Sequence, residues 1–184
     1  MTTRLETPRL IIRPFTLRDL DQLTEIFAQP EVMRFIGDGP ISEQETLEWL
    51  ERWMPVVEAT GYGHHAVTLR GSGTLIGRCG PVERELSTGR EIEISYLLAR
   101  ERWGCGYATE AAAAVRDYGL GELGQRRLVS LIAHGNSASE GVAKRIGMLI
   151  EGSLEFHGRP CNVWAIHAAG GVAPDDEQVA RDGT

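Results

Sequence analysis

The sequence predicts one α/β domain built on a mixed sheet, and three observations carry that prediction. Runs with period-two alternation recur between segments with helical spacing and capping residues. Two strand-like runs flank Gly71-Ser72-Gly73, a hairpin signal. Trp103-Gly104-Cys105-Gly106-Tyr107-Ala108 then separates a strand-like run from an alanine-rich helical pattern.

The elements follow in order. Residues 9–13, ahead of Pro14, read as a first strand, and Thr16 with Asp19 resembles a helix cap leading to Leu20, Leu23, Ile26 and Phe27 at helical spacing. Pro30 interrupts, and a short segment runs through Phe35. Ser42 with Glu45 forms a capping box for a helix carrying Leu47, Leu50 and Met54. Residues 62–83 form the hairpin, and residues 91–98 add a third strand. Residues 108–118 read as a helix with Ala111, Val115 and Tyr118 on one stripe, its small side chains allowing close packing on a sheet. Residues 127–134 alternate as a strand, 136–146 form a helix ending at Gly147, and two strands surround Gly158-Arg159-Pro160. No internal repeat is present.

A chain of 184 residues suits one domain and is long enough to bury a sizeable core. That domain is expected over residues 5–169. Residues 170–184, small, acidic and poor in apolar side chains, are expected to be a disordered tail. The formal net charge of −7 excludes a protein that coats nucleic acid, and it leans slightly toward a cationic substrate. Cys79, Cys105 and Cys161 are too widely spaced for a zinc knuckle or a redox pair, so they read as reduced thiols and no metal is expected. The N-terminus lacks the apolar core of a signal peptide and no apolar run approaches ~20 residues, which points to the cytoplasm and away from a membrane.

The loop at 103–108 reads as a backbone cradle for pyrophosphate. Gly104 and Gly106 allow a tight turn and close approach, and the following helix offers unpaired N–H groups and a positive dipole end. A P-loop or dinucleotide fold fits poorly, because no Gly-Lys-Ser/Thr follows and Thr109 stands where a third glycine is needed.

With the strand Glu93-Ile94-Ser95-Tyr96, the loop through Ala111, Asn136-Ser137-Ala138-Ser139 and Arg145-Ile146-Gly147-Met148, the chain resembles the GNAT superfamily of acetyl-CoA-dependent N-acetyltransferases. The opening run Glu6-Thr7-Pro8-Arg9-Leu10-Ile11-Ile12-Arg13-Pro14 resembles the RimJ/RimL-type branch. The resemblance covers residues 5–167. It implies a mostly antiparallel sheet with a splayed strand pair at the acetyl-CoA site and no metal. In the family's loop pattern Gly106 and Ala108 match, whereas Trp103 replaces a Gln or Arg and removes one long polar donor. Trp103, Gly104, Cys105, Gly106, Tyr107, Ala108 and Thr109 would then hold the pyrophosphate, chiefly through backbone N–H groups and the Thr109 hydroxyl. A backbone N–H near Leu97 or Leu98 would face the thioester carbonyl.

Acetyl transfer to an amine needs a neutral amine, a polarised carbonyl and a protonated leaving thiolate. Glu93 matches a strand position where some members carry a catalytic glutamate, and alternation puts Glu91, Glu93 and Ser95 on one face. The competing reading of Glu93 is an acidic strand face in solvent, and Glu91 is a substrate-contact candidate. The tyrosine that many members use against the thiolate would fall at Ala143, so the resemblance passes that role to Ser139, with Asn136 on the pantetheine arm. An ordinary helix cap is the alternative for both. His157, beside the Gly158 hairpin, is the best substrate-side histidine, whereas His134, His64 and His65 read as surface or satisfied residues. The tryptophans at 49, 53, 103 and 164 read first as core. The implied enzyme acts by direct attack in a ternary complex, first on a protein or peptide α-amine such as a ribosomal protein N-terminus. Small amines, amino acids, polyamines or antibiotics are the alternative acceptors, and a non-catalytic acyl-CoA sensor is the alternative class. Sheet edges leave room for a homodimer.

Overall fold

The computed structural model describes residues 4–86 and 89–169, so the expected tail at 170–184 lies outside the described residues. Along the chain run β1 (Leu5–Glu6), β2 (Leu10–Arg13), α1 (Leu20–Phe27), α2 (Pro30–Met33), α3 (Glu43–Thr60), β3 (His65–Leu69), β4 (Leu75–Leu86) and β5 (Gly89–Leu98). They are followed by α4 (Tyr107–Leu120), β6 (Arg127–Ala133), α5 (Ser137–Arg145), β7 (Leu149–Phe156) and β8 (Arg159–His167). Among the described residues the strands form one sheet in the order β1-β2-β3-β4-β5-β6-β8-β7. Every neighbouring pair is antiparallel except β5 with β6, which is parallel.

Local chemistry explains the helix starts. The Asp19 carboxylate accepts from the Thr16 backbone N–H at 2.8 Å, and a 3-10 turn at Leu17–Asp19 leads into α1. At α3 the Ser42 hydroxyl accepts from the Glu45 N–H and the Glu45 carboxylate accepts from the Ser42 N–H, the reciprocal capping box. Gly147, at φ 86°, follows α5 in the left-handed conformation that ends helices. In α4 the buried stripe is Ala111, Ala112, Val115 and Gly119, with Tyr118 only half-buried, because the helix lies closer to the sheet than a tyrosine stripe allows. A Cβ on Gly119 would stand 2.9 Å from the Leu128 side chain.

The sheet separates two apolar layers. On one side α4 and α5 cover Val67, Ile76, Ile94, Leu128 and Trp164. On the other, α1 and α3 cover Ala66, Leu75 and Leu97 with Leu23, Phe27 and Leu50. Trp164 is core, as expected, at 3 % exposure. Among the described residues no helix is long and apolar enough to cross a membrane.

The centre of the sheet positions the site. The parallel β5–β6 ladder registers at Glu93 with Val129, where the Ser130 hydroxyl donates to the Ile94 carbonyl at 2.9 Å. Beyond that pair no further β5–β6 partners are registered among the described residues, and 94–98 and 130–133 both line one cleft, so the two strands splay. On the other edge of β5, Gly77 sits at φ 149° beside a register shift between Val67 and Thr68. A Cβ there would stand 2.1 Å from the Leu97 carbonyl oxygen, so only glycine lets β4 come this close to β5.

Candidate active site

The cleft between the splayed strands has a volume of about 1470 Å³. Its first wall is the loop leading into α4. Gly104 and Gly106 have φ values of 75° and 79°, and a Cβ at Gly104 would meet nothing within 4 Å, so the backbone there is open to an approaching group. Gly106 caps α4 without a side-chain partner, and the first intrahelical bond runs from the Glu110 N–H to the Gly106 carbonyl. The N–H groups of Tyr107, Ala108 and Thr109 therefore lead the helix with its positive dipole end toward the cleft.

The opening run of the chain clamps this loop. Glu110 accepts from the Thr7 hydroxyl at 2.6 Å, the Arg9 N–H at 2.9 Å and Arg9 Nε at 2.5 Å. Arg9 Nη1 donates to the Cys105 carbonyl at 3.0 Å, and its guanidinium lies over the Tyr107 ring. From the other side Trp103 Nε1 donates to the Leu98 carbonyl at 2.8 Å, tying the loop to the end of β5. Arg145 on α5 donates from Nε to the Thr109 hydroxyl oxygen at 3.0 Å. That contact places a cation at the cradle, one the linear spacing did not reveal.

Of the predicted loop residues, Trp103, Gly104, Gly106, Tyr107, Ala108 and Thr109 line the cleft. Cys105 does not line it; the thiol turns back to the Trp103 carbonyl. Leu97, Leu98, Asn136 and Ser139 also line the cleft. Asn136 does cap α5, its side-chain oxygen accepting from the Ser139 N–H at 3.2 Å, which leaves its amide donors for the cleft. The Ser139 carbonyl accepts from the Tyr96 hydroxyl at 2.9 Å, so β5 fixes the first turn of α5. Ala143 is fully buried in the core, which removes that position from the cleft.

Glu93 lines the cleft at 7 % exposure. Arg84 Nε donates to its Oε2 at 2.6 Å, leaving Oε1 without a protein partner among the described residues. A solvated acidic strand face is therefore not what surrounds Glu93. Glu91, on the same face, does not line the cleft; its carboxylate pairs with Arg127, which also holds Glu151. Its candidacy as a substrate contact is corrected on that ground. His157 lines the cleft, exposed, at φ 48° and in edge contact with Phe156. The hairpin carrying it is tied down by Arg159, which donates to the carbonyls of Arg34 and Gly37 at 2.8 and 2.9 Å.

The far end of the cleft holds residues that sequence reasoning missed or set aside. Trp49 and Trp53 flank the His64 ring, and Arg78 Nη1 lies 2.7 Å from His64 Nδ1 and 3.1 Å from Ser95 Oγ. A guanidinium only donates, so Nδ1 accepts and His64 is the neutral, Nε2-protonated tautomer. Burial, and then the Arg78 charge, hold the His64 pKa well below its ordinary value. One signal for Arg78 was legible: an arginine inside the apolar run Leu75-Ile76-Gly77-Arg78-Cys79. His64 carried none, because its partners come from α3 and β4.

Comparison with known proteins agrees with this arrangement. The family described as acetyltransferase (GNAT) domain matches residues 9–149. The uncharacterised protein YkkB of Bacillus subtilis is 35 % identical over 170 residues, covering 88 % of this chain and 94 % of YkkB. A GNAT-family acetyltransferase structure from Bacillus anthracis superposes with a TM-score of 0.78 at 27 % identity, covering 90 % of this chain and 98 % of the other. The structure of RimL, a ribosomal L7/L12 alpha-N-protein acetyltransferase, shares the fold with a TM-score of 0.74 at 17 % identity, over 91 % of this chain and 95 % of that one. A splayed parallel pair, a glycine cradle at a helix N-terminus and a family match over most of the domain lead to one conclusion: this chain belongs to the GNAT family of acetyltransferases and is an acyltransferase.

Proposed function

We propose that the protein transfers the acetyl group of acetyl-CoA to a primary amine by direct attack within a ternary complex. The observation that carries this reading is the continuity of the cleft, which joins the α4 cradle to the Glu93 carboxylate past the open edge of β5. The residues present fit the co-substrate. The N–H groups from Gly106 to Thr109, with Arg145 beside them, suit a pyrophosphate, and the Asn136 amide suits the pantetheine arm. Acetyl-CoA supplies an activated thioester.

The chain's own groups divide the remaining work. Glu93 takes the proton from the ammonium, directly or through water, through the oxygen that Arg84 leaves unoccupied. A backbone N–H near Leu97 or Leu98 donates to the carbonyl oxygen as charge develops there. The Ser139 hydroxyl relays to the departing thiolate the second proton, which the attacking nitrogen sheds as the amide forms, and so ends the cycle protonated. The substrate side is bounded by His157, by the Arg159-anchored hairpin and by 34–37. Likeness of fold to a ribosomal-protein acetyltransferase supports a peptide α-amine as the acceptor. The enclosed end built from Trp49, Trp53 and His64 favours a second reading, a small amine held there.

The test is mass spectrometry of a mixed panel incubated with enzyme and acetyl-CoA: N-terminal peptides, amino acids, polyamines and aminoglycosides. Acetylation confined to peptide α-amines supports the first reading, and acetylation of small amines alone moves the protein to the second. No product despite tight acetyl-CoA binding would replace both with a non-catalytic acyl-CoA sensor.

A further inference from the structure

Arg78 is 5 % exposed, yet no carboxylate lies within ion-pair distance of it among the described residues. Its neighbours are the neutral His64, the Ser95 hydroxyl and the face of Trp49, whose ring centroid is 5.8 Å from the guanidinium carbon. Nη1 carries the hydrogen bonds, and Nε is buried without any partner. The nearest acidic group on the same face, Glu93, is held by Arg84 at 2.6 Å. Glu93 therefore reaches Arg78 only through space, and a buried cation with no carboxylate in contact is costly in a folded protein, a cost that an anion arriving from outside lowers. Burial draws the Arg78 pKa down to about 10, which leaves it cationic at neutral pH. The whole molecule carries −7, but along this cleft arginines outnumber Glu31, Asp38 and Glu93. The overall charge therefore misleads about the substrate.

We infer that the acceptor amine carries a carboxylate close to its reacting nitrogen, and that Arg78 binds it at the floor of the cleft. This rests on the acetyltransferase reading above and narrows its substrate class. The geometry bounds the separation. Ser95, which Arg78 touches, is two positions from Glu93 on one strand face, roughly 7 Å apart. An ammonium at Glu93 and a carboxylate at Arg78 then belong to one short unit. Two sources supply that chemistry: the α-carboxylate of a free amino acid, or the acidic side chain of a peptide's first residue. Trp49 and Trp53 wall this end and exclude water around the ion pair, which strengthens it.

Two pairs of acceptors decide between the sources at equal concentrations of free amine: L-alanine against L-alaninamide, and amidated Asp-Ala-Ala against amidated Asn-Ala-Ala. The wild-type enzyme is expected to favour the carboxylate member of one pair by about tenfold or more in kcat/KM. Preference within the first pair identifies a free amino acid, and within the second an acidic N-terminus. Arg78→Gln should bring the ratio close to one by raising the acceptor KM, with the acetyl-CoA KM unchanged, and Arg78→Lys should restore part of the preference. Should Arg78→Gln fail to fold, the wild-type ratios still decide. Equal rates within both pairs would overturn the inference and leave the acetyltransferase reading standing. If none of the four is acetylated, calorimetric titration of each into the enzyme with CoA separates the two ideas. Tighter binding of a carboxylate member keeps the Arg78 site and removes the reading that these amines are acetylated there, whereas equal or absent binding removes the site.

Discussion

Asp19→Asn tests how the start of the first helix is locked to β2. Asp19 is 4 % exposed and accepts from Arg13 Nη2 at 2.7 Å, Arg13 Nη1 at 2.8 Å, the Thr16 N–H at 2.8 Å and the Thr16 hydroxyl at 3.1 Å. Asparagine keeps one oxygen for the Thr16 cap but turns an amide donor toward the guanidinium, so the loss falls on the ion pair. Breaking a fully buried pair costs about 3–5 kcal/mol. The Arg13 side chain is 26 % exposed and can rehydrate, which lowers the expected loss to about 2–3 kcal/mol. For a domain of this size that is a fall in Tm of roughly 4–12 °C. Urea denaturation followed by tryptophan fluorescence measures it at pH 7 and again in acid. Burial opposes ionisation of Asp19, but the bonds from Arg13 and Thr16 outweigh it and hold its pKa below the ordinary 3.8. The carboxylate's contribution is thus fully present above that value and is lost as pH falls through the lower, folded value. The gap between wild type and Asp19→Asn should be flat from pH 7 to about pH 5 and close only in stronger acid. A loss below 1 kcal/mol, or a gap that narrows already near neutrality, would refute the reasoning.

Other predictions address the cleft directly. Glu93→Gln should lower kcat by about a hundredfold or more while leaving the acetyl-CoA KM in place, and a loss smaller than tenfold would remove Glu93 as the base. At Gly106, φ 79° costs an alanine about 1–2 kcal/mol, so Gly106→Ala should relax the cradle and weaken acetyl-CoA binding about fivefold to thirtyfold by calorimetry. An unchanged Kd in the folded variant would show that the loop geometry is not used. Iodoacetamide should modify the exposed Cys105 once in the native protein, because Cys79 and Cys161 are buried and burial pushes the Cys79 thiol up to about 12. A second label by mass spectrometry without unfolding would contradict that burial.

Much of the fold was legible because its signals are local. The Thr16–Asp19 and Ser42–Glu45 boxes act over three residues, and the 71–73 turn and Gly147 act through their own backbone angles. Strand alternation put Glu91, Glu93 and Ser95 on one face, and the register of β4 with β5 agrees. Two short features escaped: β1, only two residues long, and α2, a single turn after Pro30. Neither spans enough residues to show a period.

The backbone geometry of the 103–108 loop was readable for the same reason, since glycine spacing reports main-chain conformation. The Arg78 end of the cleft was not. Arg78 and Arg84 come from β4, Trp49 from α3 and His64 from the loop before β3, and β-sheet register decides that Arg84 holds Glu93 while Arg78 has no carboxylate in contact among the described residues. Glu91 and Glu93 look equivalent in the sequence, but one meets Arg127 and the other faces the cleft. The sequence by itself determined the longer elements, their order and the glycine turn ahead of α4, because each depends on contacts within a few residues. Only the tertiary structure decided which charges are paired, because ion pairing is a property of distance in space that no linear spacing encodes.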